Sequence, residues 1–171
     1  KIMDNSAFHD YKFKIKELHL NDDLYEFHKI KVIGNKVENE TFLTSINGDG
    51  DYLLYLQNRF FNFTIDNETK IVSAFDADLT FINITFTQIK FTNKSKDAIL
   101  ILDTKDELPS GVGGYIKFDT SKVLYDKDSG LLQLGEYSPS KTMCKFLNNA
   151  YAQLSKNNTI TCILLTDIDI I

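Results

Sequence analysis

Hydrophobic and polar side chains alternate along much of this 171-residue chain with the two-residue period of β-strands. Near the N-terminus, Tyr11, Phe13 and Ile15 alternate with lysines, so one face of this strand is expected to contact water. β-Branched and aromatic residues dominate the other apolar runs, and such residues pack well on a pleated surface. The pattern predicts further strands at Tyr52–Leu56, Phe60–Ile65, Leu79–Phe91, Ile99–Leu102, Tyr115–Phe118, Leu131–Leu134 and Ile160–Leu165.

The run Leu79–Phe91 is especially dense in β-branched and aromatic residues and predicts one long strand. Side chains alternate between the two faces of a strand. One face is then expected to carry Phe81, Asn83, Thr85, Thr87 and Ile89, and the other Ile82, Ile84, Phe86 and Gln88.

Turn-forming residues separate the runs. The segment Thr142–Leu154 fits a helical turn, although Tyr151–Leu154 also fits a strand. Spacings of about 8–14 residues between strands predict a single all-β domain over residues 1–171, an antiparallel β-sandwich or a closed barrel of about ten strands. A β-trefoil is the alternative. The turn signals lie at Ile33–Asn35, Asn47–Asp51, Leu108–Gly114 and Asp126–Gly130.

Composition and charge are those of a globular protein. Hydrophobic residues make up 43% of the chain and charged residues 25%, with a net charge of −5 and a single arginine, Arg59. No basic patch is interleaved with aromatic residues, so no nucleic-acid partner is expected. No apolar run reaches the roughly 18 residues that a transmembrane helix needs. The chain begins at Lys1 rather than Met, which predicts a processed or trimmed chain in which any signal peptide or C-terminal anchor signal is not visible.

Six Asn-x-Ser/Thr tripeptides are acceptors for N-linked sugar if the chain enters a secretory pathway. Asn67 is expected to be used, as are two other sites that also lie beside charged or turn residues. Asn62 and Asn83 lie within strand-like runs and need outward-facing side chains. The alternative is that a composition rich in Asn, Lys, Ile and Thr produces the motif by chance. The six sites are Asn39, Asn62, Asn67, Asn83, Asn93 and Asn157, of which Asn39, Asn67 and Asn93 are the expected ones.

Cys144 and Cys162 are the two cysteines of the chain. An even pair in a secreted protein predicts a disulfide, and closing a loop of about 18 residues would contribute roughly 3 kcal/mol. The alternative is a pair of buried thiols in a cytosolic protein. The cysteines and the three histidines, His9, His19 and His28, lack the spacing of a zinc site. No cofactor is expected.

Carboxylates supply the remaining candidates for chemistry. Asp49 and Asp51 lie in the glycine-rich loop Asn47–Asp51, which gives a weak calcium candidate and is more simply a polar turn. Two further pairs place carboxylates two residues apart, on the same face of a strand. Carboxylate pairs can hydrolyse a glycosidic bond when they flank it, although a solvated face is the simpler interpretation. These pairs are Asp76 with Asp78 and Asp167 with Asp169.

The C-terminal part reads Gly130–Gly135 as Gly-Leu-Leu-Gln-Leu-Gly, followed by Cys144–Leu154 and Cys162–Ile170. This pattern resembles the C-terminal module of fungal cell-wall mannoproteins of the Pir type and related secreted yeast wall proteins. Asn58–Phe63 is similar to an Asn-Arg-aromatic piece of that module. The resemblance implies a secreted, glycosylated, disulfide-closed β module. The internal repeats through which some members attach to glucan are absent, and so is a further cysteine common in Pir modules.

These observations predict a non-enzymatic extracellular glycoprotein module of the cell wall or cell surface. Its role would be structural, or it would bind wall polysaccharide or a surface protein. Aromatic residues on β-faces suit both core packing and sugar stacking. One alternative is a secreted toxin- or virulence-type protein that binds a receptor, and another is a secreted carbohydrate-active enzyme. The sequence shows no convergent cluster of acid, base and nucleophile, which favours binding without catalysis.

Overall fold

A computed structural model describes residues 8–17, 30–35, 40–45, 50–92, 96–141 and 143–170. These residues form fifteen β-strands and no helix, which confirms the all-β prediction. Within those ranges, accordingly, no helix is long and apolar enough to cross a membrane. In chain order the strands are β1 Phe8–His9, β2 Lys12–Glu17, β3 Ile30–Asn35, β4 Glu40–Ser45, β5 Tyr52–Leu56, β6 Phe61–Ile65, β7 Val72–Asp78, β8 Thr85–Phe86, β9 Lys96–Asp103, β10 Gly113–Ile116, β11 Val123–Asp126, β12 Leu131–Gly135, β13 Met143–Leu147, β14 Ala150–Leu154 and β15 Ile160–Leu165.

The strands form two sheets. The seven-stranded sheet has the order β1-β10-β5-β6-β7-β4-β3, and the eight-stranded sheet has the order β2-β9-β13-β14-β15-β12-β11-β8. Most neighbours are antiparallel, but β1–β10, β10–β5, β13–β9 and β11–β8 are parallel. The sheets are therefore mixed, and neither closes into a barrel. The closed barrel was a wrong expectation, and so was the barrel-based β-trefoil, because each sheet ends in unpaired edge strands among the described residues.

An apolar core lies between the sheets. Phe63 on β6 is fully buried at its centre. Its ring centroid lies 6.0 Å from that of Phe13 and 5.8 Å from that of Phe146, both on the eight-stranded sheet. It also lies 5.7 Å from the ring of Phe75 on the neighbouring strand β7. Alternate residues of β5 and β6 point into this core, as their two-residue period predicts.

Part of the second face of the eight-stranded sheet is also covered. Leu131, Met143, Tyr151 and Leu164 form a small buried cluster on that face. Three partly buried side chains from outside the strands pack against it: Ile89, Phe91 and Tyr137. By contrast, the outward-facing residues of β5 and β6 in the seven-stranded sheet are only half-buried, so this sheet offers the more open surface.

The segment Leu79–Phe91 departs from its prediction, because only Thr85–Phe86 forms a strand. It leaves the seven-stranded sheet, pairs briefly with β11 and then crosses the second face of the eight-stranded sheet. There the Ile89 amide donates to Asp126 Oδ2 at 3.0 Å. β-Propensity predicts an extended backbone, but the segment begins with a turn at Thr80–Phe81, and propensity does not tell whether a partner strand lies alongside.

Several other boundaries agree with the sequence pattern. β5 and β15 span the predicted ranges, Tyr52–Leu56 and Ile160–Leu165. The ambiguous segment forms the hairpin of β13 and β14 rather than a helical turn, although Thr142 itself lies outside the described residues. The turn predicted at Ile33–Asn35 is wrong, because those residues lie inside β3.

Candidate functional site

A cleft of about 370 Å³ lies on the outer face of the seven-stranded sheet, over strands β4, β6 and β7. We call it the Phe42–Phe60 cleft after its two aromatic walls. Both phenylalanines are exposed, by 36% and 38% respectively, which is unusual for such apolar side chains on a sheet. The polar groups that line it are Thr44, Arg59, Asn62, Asp76 and Asp78.

Strand register places the aromatic walls on either side of a carboxylate. Phe42 on β4 pairs directly with Asp78 on β7. On the other side, the Asp78 amide donates to the Phe60 carbonyl at 2.8 Å. Neighbouring strands are about 4.8 Å apart, so the two phenylalanine backbones stand roughly 10 Å apart across Asp78. Both side chains line the cleft.

Both carboxylates of the cleft already accept hydrogen bonds within the protein. Thr44 Oγ1 donates to Asp76 Oδ1 at 2.6 Å, and the Thr80 amide donates to Asp78 Oδ1 at 3.0 Å. Burial raises the pKa of Asp76, and the bonds from Thr44 and from the Ser45 amide oppose that rise. An ionised carboxylate has about four acceptor positions, so each retains capacity for a ligand hydroxyl.

Arg59 connects the cleft to a neighbouring group of aromatic side chains. It lines the cleft from the β5–β6 turn, and its Nε donates to Tyr115 Oη at 3.0 Å. The rings of Tyr55 and Tyr115 stack with centroids 5.0 Å apart, and Phe8 meets Tyr115 edge-on at 6.2 Å. We call Phe8, Tyr55 and Tyr115 the aromatic row.

Gly114 fixes the position of the strand that carries Tyr115. A Cβ atom at this residue would lie 2.4 Å from Tyr52 Oη, so a larger residue would require the Tyr52 side chain to shift. Tyr52 is buried, and burial raises its pKa. Tyr11 donates a long hydrogen bond of 3.4 Å to Asp106, and burial raises the pKa of Tyr11 as well. These hydroxyls are structural supports behind the aromatic row rather than reactive groups.

A larger depression of about 680 Å³ lies beside the segment that joins β10 to β11. Two of its three charged groups pair with nearby protein groups: Asp119 accepts from Ser121, and Glu136 binds Lys122. Loop side chains that satisfy one another form a weaker binding surface than the Phe42–Phe60 cleft, whose aromatic walls are exposed.

The structure separates the two predicted carboxylate pairs. Asp76 and Asp78 lie on β7 and both line the cleft, as their spacing predicts. Asp167 and Asp169 follow β15 of the other sheet and are exposed. The calcium candidate Asp49 lies outside the described residues, and Asp51 is exposed. Among the residues that the structure describes, no three His, Cys, Asp or Glu side chains form a group that could hold a metal ion.

The predicted disulfide between Cys144 and Cys162 is wrong, since both are buried free thiols. β14 lies between their strands, β13 and β15, which places their backbones about 10 Å apart. A disulfide requires Cα atoms within about 7 Å. Cys144 pairs with Ala152, which in turn pairs with Ile163, the neighbour of Cys162. The two thiols therefore project from opposite faces of the sheet.

The sequons differ in accessibility. Asn83 and Asn157 are exposed, and Asn62 is half-buried in the cleft. Asn67 uses both ends of its amide, because Oδ1 accepts from the Asp51 amide at 3.0 Å and Nδ2 donates to the Leu108 carbonyl at 2.7 Å. The remaining two, Asn39 and Asn93, lie outside the described residues.

The sequence pattern identified the carboxylates of the cleft but not its aromatic walls or Arg59. Phe42 becomes a neighbour of Asp78 only through the pairing of β4 with β7, which is distant in sequence. Arg59 had one signal available, since it is the only arginine of the chain and aromatic residues follow it.

No protein-family model matches the chain, and no curated protein is significantly similar to it. The resemblance of the C-terminal part to yeast cell-wall mannoproteins therefore stays a prediction. What the molecule binds must be inferred from the chemistry of its surface.

Proposed function

We propose that this protein is a non-catalytic carbohydrate-binding module that holds a sugar ring in the Phe42–Phe60 cleft. The observation that carries this proposal is the pair of exposed phenylalanines on either side of Asp78, with further hydrogen-bonding groups beside them. Phenylalanine rings offer an apolar face to the C–H groups of a sugar. Carboxylate, amide and guanidinium groups bind the sugar hydroxyls, which both donate and accept hydrogen bonds.

The position of the carboxylates favours binding over hydrolysis. Asp76 and Asp78 belong to one strand and project from the same wall of the cleft. Glycosidases instead place two carboxyl groups so that they flank the scissile bond. One observation favours the enzyme alternative, because a carboxyl group with a raised pKa, such as Asp76, suits a general acid. The experiment below therefore measures hydrolysis together with binding.

The fold belongs to the same proposal. We take the two sheets to form a β-sandwich, since the rings of Phe13 and Phe146 pack on Phe63 across a shared core. We also take the protein to be extracellular, at a cell wall or cell surface. Exposed sequons at Asn83 and Asn157 support this location. The free thiols of Cys144 and Cys162 remove the support that a disulfide would have given.

The test measures retention of the purified protein on insoluble β-glucan, chitin and mannan, together with release of reducing ends. We expect retention on at least one polysaccharide without release. Phe42→Ala and Phe60→Ala should each weaken retention about tenfold, because each removes one stacking wall. Phe86→Ala is the matched control, since this phenylalanine is 63% exposed but lies on the edge of the other sheet.

Three outcomes would contradict the proposal. Reducing-end release that disappears in Asp76→Asn or Asp78→Asn would identify an enzyme. Retention on none of the polysaccharides would exclude wall carbohydrate as the ligand and favour the receptor-binding alternative. Equal losses in Phe42→Ala and Phe86→Ala would show that the cleft is not the contact surface.

A further inference from the structure

We infer that the ligand is a linear, uncharged oligosaccharide that runs from the Phe42–Phe60 cleft across the strands to the aromatic row. This inference rests on the proposed function and names the ligand class of the same site. The structure supports it through strand register, through the bond that joins the two parts of the surface, and through their balance of charge.

Register aligns the outward-facing residues of five adjacent strands in one line. Phe8 pairs with Tyr115 and Tyr115 with Tyr55. Tyr55 then pairs with Asn62, and Asn62 with Asp76. Five strands at a spacing of about 4.8 Å give the line a length of roughly 20 Å. A single sugar ring occupies only part of that length, so a chain of several rings is the better match.

The bond from Arg59 to Tyr115 makes the cleft and the aromatic row one continuous surface. A sugar chain that leaves the cleft meets the guanidinium group first and the tyrosines next. Arg59 offers only donors, Asp76 and Asp78 offer only acceptors when ionised, and Asn62 offers both. A line that carries both hydrogen-bond donors and acceptors suits sugar hydroxyl groups, because each hydroxyl can donate one hydrogen bond and accept others.

The charges along the line favour an uncharged ligand. Asp76 and Asp78 contribute two negative charges. Arg59 contributes one positive charge, and Lys31, an exposed residue on β3 that pairs with Thr44 just beyond the cleft end of the line, contributes another. The formal sum is zero. An anionic sugar would lie against the carboxylates and a cationic one against Arg59, and like charges at such distances repel.

The experiment uses titration calorimetry with a monosaccharide, a disaccharide and a tetrasaccharide prepared from whichever of β-glucan, chitin and mannan retains the protein. We expect the tetrasaccharide to bind about tenfold or more tightly than the monosaccharide. Tyr55→Ala should remove most of that gain, because it takes away one ring of the aromatic row. Tyr115→Phe keeps the ring and removes only the bond to Arg59, so it should also weaken tetrasaccharide binding.

The outcomes separate this inference from the proposed function. Binding at no length would overturn both. Affinity that is equal for all lengths, or a tetrasaccharide affinity that survives both tyrosine variants, would overturn the extended site and leave the cleft as a single-ring site. A charged series tests the ligand class, with oligogalacturonides as anions and chitosan oligomers as cations. We expect both to bind more weakly than the neutral tetrasaccharide, and equal or tighter binding would overturn the uncharged class.

Discussion

Asp76 is the residue at which the needs of folding and of binding conflict. Its carboxylate is half-buried in the cleft, and burial raises its pKa. The short bond from Thr44 offsets only part of the cost of holding a charge there. Retaining a carboxylate at such a position is understandable if a ligand hydroxyl donates to it.

The first prediction concerns the pH dependence of stability in Asp76→Asn. The folded-state pKa of Asp76 lies above its unfolded value. The favourable contribution of this carboxyl group to the free energy of unfolding is therefore fully present below the unfolded pKa of about 3.9. It is lost as the pH rises through the folded pKa. The free energy of unfolding of the wild type should therefore fall relative to that of Asp76→Asn as the pH rises from acid to neutral. Urea unfolding over that range measures this difference.

Asp169→Asn is the control for Asp76→Asn, because it removes an exposed carboxylate elsewhere. The difference in free energy of unfolding between Asp169→Asn and the wild type should change less between acid and neutral pH. A difference between the wild type and Asp76→Asn that stays constant with pH would show that burial does not control this carboxyl group.

Residue by residue, the sequence predicts what depends on spacing along one strand and misses what depends on pairing between strands. Asp76 and Asp78 share a face because they are two residues apart, and the sequence predicts this directly. Phe42 joins them through pairing of distant strands, which local pattern does not specify. The sequence likewise does not indicate that the Asn67 side-chain amide donates a hydrogen bond to the Leu108 carbonyl.

At the scale of elements, alternation finds strands well where one face is buried and the other is not. β5 shows this, with buried and half-buried residues in strict alternation over the predicted range Tyr52–Leu56. The segment Leu79–Phe91 has an equally strong composition, yet most of it pairs with no neighbouring strand. The two segments differ in whether a neighbouring strand is available, because β-propensity favours an extended chain whether or not a sheet edge is free to pair with it.

The second prediction concerns the thiols on β13 and β15. Burial raises the pKa of Cys144 and of Cys162 to about 12, so neither forms much of the reactive thiolate at neutral pH. The native protein should therefore react very slowly with a thiol reagent, and unreduced, denatured protein should react at both residues. Cys144→Ala and Cys162→Ala should each remove one reactive thiol from the denatured sample. If the unreduced, denatured protein had no reactive thiols, the result would show that Cys144 and Cys162 form a disulfide after all.

At the scale of the whole molecule, the two sheets differ in how they are covered. The eight-stranded sheet is covered on one face by the core, and on part of the other face by Ile89, Phe91 and Tyr137. The seven-stranded sheet carries exposed aromatic side chains and charges on its outer face. Alternation along single strands does not reveal this asymmetry, because it depends on which loop crosses which sheet. This asymmetry in covering explains why the candidate site lies on the seven-stranded sheet.

The last prediction concerns which sequons carry sugar when the protein is produced through a yeast secretory pathway. Asn83 and Asn157 are exposed, so a glycan at either leaves the fold intact. A glycan on Asn67 Nδ2 would disturb the bond to the Leu108 carbonyl, and one on Asn62 would fill the Phe42–Phe60 cleft. Chains modified at Asn67 should fold poorly, since a partly buried carbonyl would lose its partner.

Peptide mass mapping of the folded, secreted fraction, with and without N-glycosidase, should therefore find sugar at Asn83 and Asn157 and little at Asn62 or Asn67. Asn83→Gln and Asn157→Gln should each remove one glycan mass and leave binding to polysaccharide unchanged. An unmodified protein would remove the main support for an extracellular location. Sugar at Asn62 in a fraction that still binds polysaccharide would show that the ligand contacts another surface, because a glycan and a ligand cannot occupy the same cleft.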